Sequence, residues 1–236
     1  MAYIAVEQKK ALLKKNPLLV HMREGDLDRL AMQARVEDVP AGAKIFNKDD
    51  PSSSMFMVLN GHIMIYSTSA DGKEVVFNII SSGEIFGEIA LLDGEPRTAD
   101  ARALPDSRIL VLERRNFIPL LEASPEACME VIRVLCRRIR NTTHLIEDTA
   151  FFELRPRLAK KLLAFAEHFG EADDDGALRI SLALSQSELG AMTNAGRESV
   201  NRQLRIWVKN GLIAIDQGQI SVLDPGGLEQ EAATDE

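Results

Sequence analysis

Apolar and polar positions change their rhythm along the chain. Through residues 1–34 the anchors Leu12, Leu13, Leu18, Leu19, Leu27 and Leu30 predict helices. From about 36 to 112, short β-type runs alternate with turn dipeptides. Met55–Leu59 and His62–Tyr66 flank Asn60-Gly61, a pattern that predicts a two-residue hairpin. Asp71-Gly72 separates the next pair, which ends in the run Val75–Ile80, and Ser82-Gly83 and Asp93-Gly94 mark the next two breaks. Strands at this spacing predict a small β sandwich or roll.

From Asn116 the pattern turns helical. A short helix to about Ala123 is followed by Ser124-Pro125-Glu126, a serine cap with proline at the first helical position. The next helix runs to about Thr149. Its seam of Cys128, Ile132, Leu135, Ile139, Thr142 and Ile146 has the 4-3-4-3-4 spacing of a two-helix coiled coil. A helix packed only on its own sheet needs a wider stripe, so the seam predicts a homodimer. Another helix is expected over 154–169. Residues 171–176 read as a solvated acidic turn, and Ile180 and Leu182 as a short strand. Ser185 with Glu188 forms a capping box, opening a short helix that ends near Thr193-Asn194. A further helix starts by Arg197 and stops at Asn210-Gly211. Leu212–Ile215 and Gln219–Leu223 then flank a turn at Gln217-Gly218, which completes a winged helix-turn-helix.

The fold class is therefore α+β. Residues 1–124 hold N-terminal helices and a β-roll, 125–151 a long dimerisation helix and hinge, and 152–225 a winged helix-turn-helix. Residues 226–236 form an acidic tail expected to be disordered.

A chain of 236 residues, 45% apolar and 27% charged, has an ordinary globular composition. No apolar run approaches the roughly 18–20 residues of a membrane span, and the start has no apolar signal region. A cytoplasmic protein is expected. Cys128 and Cys136 stand about 12 Å apart along one helix, too far to bridge, and read as buried or half-buried inert thiols. The net charge of −8 argues against nucleic acid when taken globally. Its distribution argues otherwise: the tail from Gly226 holds four acids, whereas Arg197, Arg202, Arg205 and Lys209 against Glu198 make 195–210 locally +3. His21, His62, His144 and His168 are scattered, and no metal spacing, nucleophile elbow or P-loop is present. No catalytic residue, metal or resident cofactor is expected, and an enzyme is the least favoured class.

The richest stretch is Phe86-Gly87-Glu88-Ile89-Ala90-Leu91-Leu92-Asp93-Gly94-Glu95-Pro96-Arg97-Thr98-Ala99. Glycine admits a ligand close to the backbone, a carboxylate accepts from sugar hydroxyls, and a guanidinium is a fork for a phosphate. By residue type alone, Glu88 and Arg97 read first as a salt bridge. The segment, however, closely resembles the phosphate-binding cassette of cyclic-nucleotide-binding domains, with Gly61, Gly72 and Gly83 also in place. The long helix with Arg137–Thr143 and the winged helix resemble the matching parts of the CRP/FNR family of transcription regulators. The likeness runs from about 35 to 223 and points to the cyclic-nucleotide-dependent branch.

That resemblance implies roles residue by residue. Gly87 and Glu88 would meet the ribose. Arg97 and Thr98 would hold the cyclic phosphate, helped by backbone N–H groups of the Glu95–Thr98 turn. Thr142 would bond the purine from its own subunit and Thr143 from the partner. Cyclic AMP is the favoured effector. Threonine directly after the arginine keeps cyclic GMP as a second ligand. Arg197-Glu198-Ser199-Val200-Asn201-Arg202 resembles the family's RExxxR recognition motif, and arginine and glutamate there suit guanine and cytosine edges. The DNA-contacting set is Arg197, Glu198, Ser199 and Arg202, and Arg205 and Lys209 suit phosphates or solvent. The implied partners are a second copy of the chain, a pseudo-palindromic operator with TGTGA-like half-sites and RNA polymerase. Gly196 departs from the Ser or Thr usual at that cap, which predicts somewhat weaker DNA binding, and Glu153 departs from the usual aspartate at the hinge. Two rivals are the same fold with another effector, and a cyclic-nucleotide sensor acting through protein partners.

Overall fold

The computed structural model describes residues 4–20, 22–172 and 177–233. They form two compact units. One is built from the residues up to Ser69 with Val76–Asn141, the other from Ala70–Val75 with the residues from Thr142 on.

The first unit opens with helices α1 (Val6–Lys14) and α2 (Glu24–Gln33). Eight strands come next: β1 (Arg35–Val39), β2 (Lys44–Phe46), β3 (Ser54–Asn60), β4 (Ile63–Thr68), β5 (Glu74–Ile80), β6 (Ile85–Phe86), then, beyond the short helix α3 (Glu88–Asp93), β7 (Asp100–Ala103) and β8 (Ser107–Glu113). They make two four-stranded sheets, ordered β1-β8-β3-β6 and β2-β7-β4-β5. The expected roll is thus present. The expected hairpin at Asn60-Gly61 is not: β3 pairs with β8 and β6, whereas β4 pairs with β7. The chain crosses there from one sheet to the other. Gly61 lies so close to Ser107 that a Cβ would stand 2.2 Å from its Oγ and 2.9 Å from its Cα, so the glycine serves a close approach rather than a hairpin turn.

Strands β3 and β8 are buried on both faces, which is why they read as unbroken apolar runs. Phe56, Val58, Ile109 and Val111 point into the roll with Ile63, Ile80, Phe86 and Ala101. Met55, Met57, Leu110 and Leu112 point outward, onto Leu13, Leu27, Leu30 and Phe117 of the helices. Helix α4 (Arg114–Glu122) supplies Phe117, and α5 (Pro125–Phe151) adds Ala127 and Val131. Ser124 Oγ accepts from Ala127 N at 3.2 Å and caps α5, as its sequence indicates. Ile132, Ile139 and Ile146 on α5 are 49%, 66% and 64% exposed, so the heptad seam lies open on the single chain. Cys136 is exposed rather than half buried.

The second unit contains α6 (Leu154–Phe169), β9 (Gly170–Ala172), β10 (Leu178–Ile180), α7 (Gln186–Met192), α8 (Arg197–Lys209), β11 (Ile213–Asp216), β12 (Gln219–Val222) and α9 (Pro225–Ala232). Its sheet runs β11-β12-β10-β9. The capping box forms as expected: Ser185 Oγ accepts from Glu188 N, and Ser185 N donates to Glu188 Oε2. The acidic turn begins inside β9, and its residues 173–176 lie outside the described residues.

The C-terminal expectation is also overturned. The segment after 225 is not a disordered tail: Pro225–Ala232 is helical, with Asp224 capping Gly227 N at 2.9 Å and Leu228 fully buried. Glycines at 226 and 227 cost helix propensity, but proline at the first position after an aspartate cap and the burial of Leu228 outweigh it. Residues 234–236 lie outside the described residues. No helix among the described residues is long and apolar enough to cross a membrane.

Candidate nucleotide-binding and DNA-reading sites

The first site sits where β6 meets α3. Gly87 takes φ of 73° and ψ of 13° at the N-cap of α3, in the left-handed region that favours glycine. A Cβ there would also stand 2.5 Å from Arg97 Nη1. Arg97 Nη1 donates to Gly87 O at 2.7 Å, and Nη2 donates to Ser54 O at 2.8 Å. The guanidinium lies over the Phe46 ring, 4.1 Å from its centroid, and Phe46, Phe56 and Phe86 stack beneath it. Burial in this apolar cradle lowers the arginine's pKa to about 10, against the opposing pull of Glu88 and Asp50.

Glu88 is 1% exposed, and neither carboxylate oxygen accepts a well-aligned hydrogen bond from a described residue. Its ion-pair partner is not Arg97 but Arg138 of α5, with Nε 3.1 Å from Oε1. Arg138 is braced by donating from Nη2 to Ile85 O at 2.6 Å. Burial raises the Glu88 pKa, while the charges of Arg138 and Arg97 pull the other way. These residues, with Ile65, Ala90 and Thr98, enclose a cavity of about 30 Å³, room for a water or so.

The turn after α3 contributes less backbone than expected. Glu95 N donates to Asp93 Oδ1, Arg97 N donates to Asp50 O, and Pro96 has no N–H, which leaves the Thr98 amide. Thr98 itself is exposed. Arg138 is the residue the sequence reading missed. It lies four positions before Thr142 on α5 and was legible only as one of three arginines in Arg137-Arg138-Ile139-Arg140. Thr142 and Thr143 stand at exposed positions of α5 in the second unit.

A buried carboxylate with raised pKa has a definite stability signature. Its share of stability is full below its ordinary value of 4.5 and is lost as pH rises through its folded value. Glu88→Gln therefore raises the melting temperature at pH 7 and removes this part of the pH dependence in a comparison of variant and parent from pH 4 to 8. The same substitution lowers affinity for a hydroxyl-bearing ligand about ten-fold, through one lost charged hydrogen bond.

The second site is the exposed face of α8. Val200, Leu204 and Trp207 bury one side of the helix. Glu198, Asn201, Arg202, Arg205, Ile206 and Lys209 line an open groove of about 590 Å³ on the other. Arg197 is exposed in the first turn, and Ser199 is half-buried. Asn201 Nδ2 donates to Gln186 Oε1 at 2.7 Å, which ties α8 to α7. Gly196 caps α8 without any side-chain bond, and Glu153 caps α6 in the same bare manner. Among the described residues no group of three or more His, Cys, Asp or Glu could hold a metal ion.

Comparison with known proteins assigns the two stretches that carry these residues to known domain families. Residues 36–124 match the cyclic nucleotide-binding domain, and residues 156–231 match the Crp-like helix-turn-helix domain. The chain is 30% identical over 203 residues to a CRP-like cAMP-activated global transcriptional regulator of Mycobacterium tuberculosis, covering 86% of this chain and 90% of the relative. It is 26% identical to a cyclic AMP receptor protein of Thermus thermophilus, covering 93% and 98%. Among solved structures, a Crp/Fnr-family regulator from Eubacterium rectale superposes with a TM-score of 0.75 over 94% of this chain and all of its own, at 17% identity. A CRP-family regulator from Thermus thermophilus gives 0.72 at 26% identity, covering 84% and 97%. The chain belongs to the CRP/FNR family of transcription regulators, with a cyclic-nucleotide-binding domain, a long helix and a C-terminal Crp-like helix-turn-helix domain.

Proposed function

We propose that this protein is an allosteric transcription regulator in which cyclic AMP binds at Glu88 and Arg97 and promotes binding of a homodimer to a pseudo-palindromic operator. One observation carries the reading. A buried carboxylate, ion-paired with Arg138 at Oε1 and given no well-aligned hydrogen bond by any described residue, lines the same small cavity as a guanidinium fork, which is the complement of a ribose next to a phosphate. The 30% identity to a cAMP-activated relative supports the same effector.

The cavity of about 30 Å³ is far below the several hundred a nucleotide requires. Binding therefore needs Arg97 to exchange carbonyl partners for phosphate oxygens and Arg138 to give up part of Glu88 to the ribose. Thr142 and Thr143 take the purine, one from each subunit. A ligand with different affinities for two arrangements of the chain shifts the balance between them. Cyclic GMP is the second ligand, because the Thr98 hydroxyl follows the phosphate-binding arginine. In the DNA-bound form Arg197, Glu198 and Arg202 read TGTGA-like half-sites about one helical turn apart, and Ser199 lies beside them. RNA polymerase is the further partner, and the cytoplasm the compartment.

The deciding experiment titrates the full-length protein against a palindromic TGTGA duplex with no ligand, with cyclic AMP and with cyclic GMP. Tightening by cyclic AMP supports the reading, and identical affinity in all three states overturns it. Arg197→Ala costs about 1–3 kcal/mol in that assay and relaxes one base position. A variant with unaltered base preference would remove Arg197 from the reading set.

A further inference from the structure

The terminal helix α9 is bound into the DNA-binding unit by directional contacts as well as by apolar packing. It packs along α6, with Leu228 fully buried. A Cβ on Gly227 would stand 2.6 Å from Leu212 Cδ2, so α9 presses against the turn after α8. The Leu212 backbone is held on both sides: its N donates to Trp207 O, and its O accepts from Leu223 N and Asp224 N. At the far end of α9, Glu231 Oε2 accepts from Trp207 Nε1 at 2.9 Å and lies 3.5 Å from Arg155 Nε, in the first turn of α6.

Trp207 is fully buried, and an indole N–H in that position needs an acceptor. Its neighbours on the buried face of α8, Val200 and Leu204, give only non-directional apolar contacts, which let a helix roll about its axis. Two side-chain hydrogen bonds oppose such a roll: Asn201 to Gln186 in the first half of α8, and Trp207 to Glu231 in the second. A roll would carry Arg202, Arg205 and Lys209 off the groove face together.

We propose that Glu231 is a positioning residue for DNA recognition: through Trp207 it fixes the roll of α8, and through Arg155 it ties that roll to the start of α6, where the chain leaves the long helix. The proposal rests on the DNA-reading role given to α8. It gives the segment after the wing a part in operator affinity, not merely in stability.

Trp207 is the single tryptophan of the chain, so tryptophan emission reports the surroundings of this indole and no other. The full-length Glu231→Ala and Glu231→Gln variants are compared with the parent under saturating cyclic AMP, on a palindromic TGTGA duplex and on a random duplex at low salt. Glu231→Ala weakens the palindromic complex about ten-fold, leaves the random complex within about two-fold, and changes Trp207 emission. Glu231→Gln keeps an acceptor oxygen and restores both readouts to within about two-fold of the parent. Parent-like operator affinity in the alanine variant, or a glutamine variant as weak as alanine, overturns the proposal. Should the alanine variant not fold, Trp207→Phe removes the donor while keeping an aromatic ring, and parent-like affinity there overturns it equally. If the parent itself does not hold the TGTGA duplex, the half-site reading has failed. The clamp is then judged on amide exchange over Leu204–Lys209. Faster exchange in alanine with parent-like exchange in glutamine supports it, and equal rates in all three overturn it.

Discussion

Arg97→Leu abolishes cyclic-nucleotide binding, with affinity in calorimetry falling at least about a hundred-fold. The magnitude follows from a bidentate, charge-assisted contact to phosphate lost inside a closed site, worth about 3 kcal/mol or more. The same substitution leaves the fold intact. Arg97 is 4% exposed over Phe46 and Phe56, and burial has already lowered its pKa to about 10. A leucine there packs on the same rings and removes a desolvated charge, although Gly87 O and Ser54 O each lose a donor. The melting temperature therefore stays near the parent's while binding disappears. Unchanged nucleotide affinity would detach the phosphate from Arg97. Lost binding with a collapsed melting temperature would make the arginine a structural plug instead.

The chain's legibility was uneven, for reasons visible at particular residues. Local signals came through: the Ser185–Glu188 box, the Ser124 cap and the turn at Gln217-Gly218, whose positive φ values of 47° and 85° suit a hairpin turn, depend on residues a few positions apart. Pairings set by distant residues did not. Asn60-Gly61 looks like a hairpin because turn chemistry is local, yet the register of β3 is decided by β8, some fifty residues on. The terminal helix was hidden by Gly226 and Gly227, whose low propensity is offset by a tertiary contact, Leu228 in the core, that composition does not show.

The nucleotide site divides the same way. Gly87, Glu88 and Arg97 could be found because they share one short segment, and the structure does bring them together. Arg138 could not, because its relation to Glu88 spans fifty residues and depends on which arginine of three turns inward. The Glu88–Arg97 salt bridge that residue type alone suggests is replaced by two separate arrangements, one arginine on carbonyls and another on the carboxylate. Each can be exchanged for a ligand group without leaving the other unpaired.

Ile139→Asp converts the proposed dimer to a monomer at micromolar concentration, with a dimer dissociation constant raised at least about a hundred-fold. Ile132, Ile139 and Ile146 recur every seven residues on α5 and are 49%, 66% and 64% exposed, an apolar stripe that a lone chain would hold against water. Burying a substantial part of an isoleucine side chain is worth roughly 1–2 kcal/mol, and a parallel two-fold pair buries each position twice. Aspartate at 139 removes the apolar contribution from both chains. It also places two like charges across the seam, where desolvation adds a further cost. Sedimentation measures the outcome directly. Operator binding falls with it, because a monomer holds one half-site. Nucleotide contacts to Glu88 and Arg97 remain, so residual weak cyclic AMP binding separates loss of the seam from loss of the site. A variant that stays dimeric would move the interface away from the α5 seam.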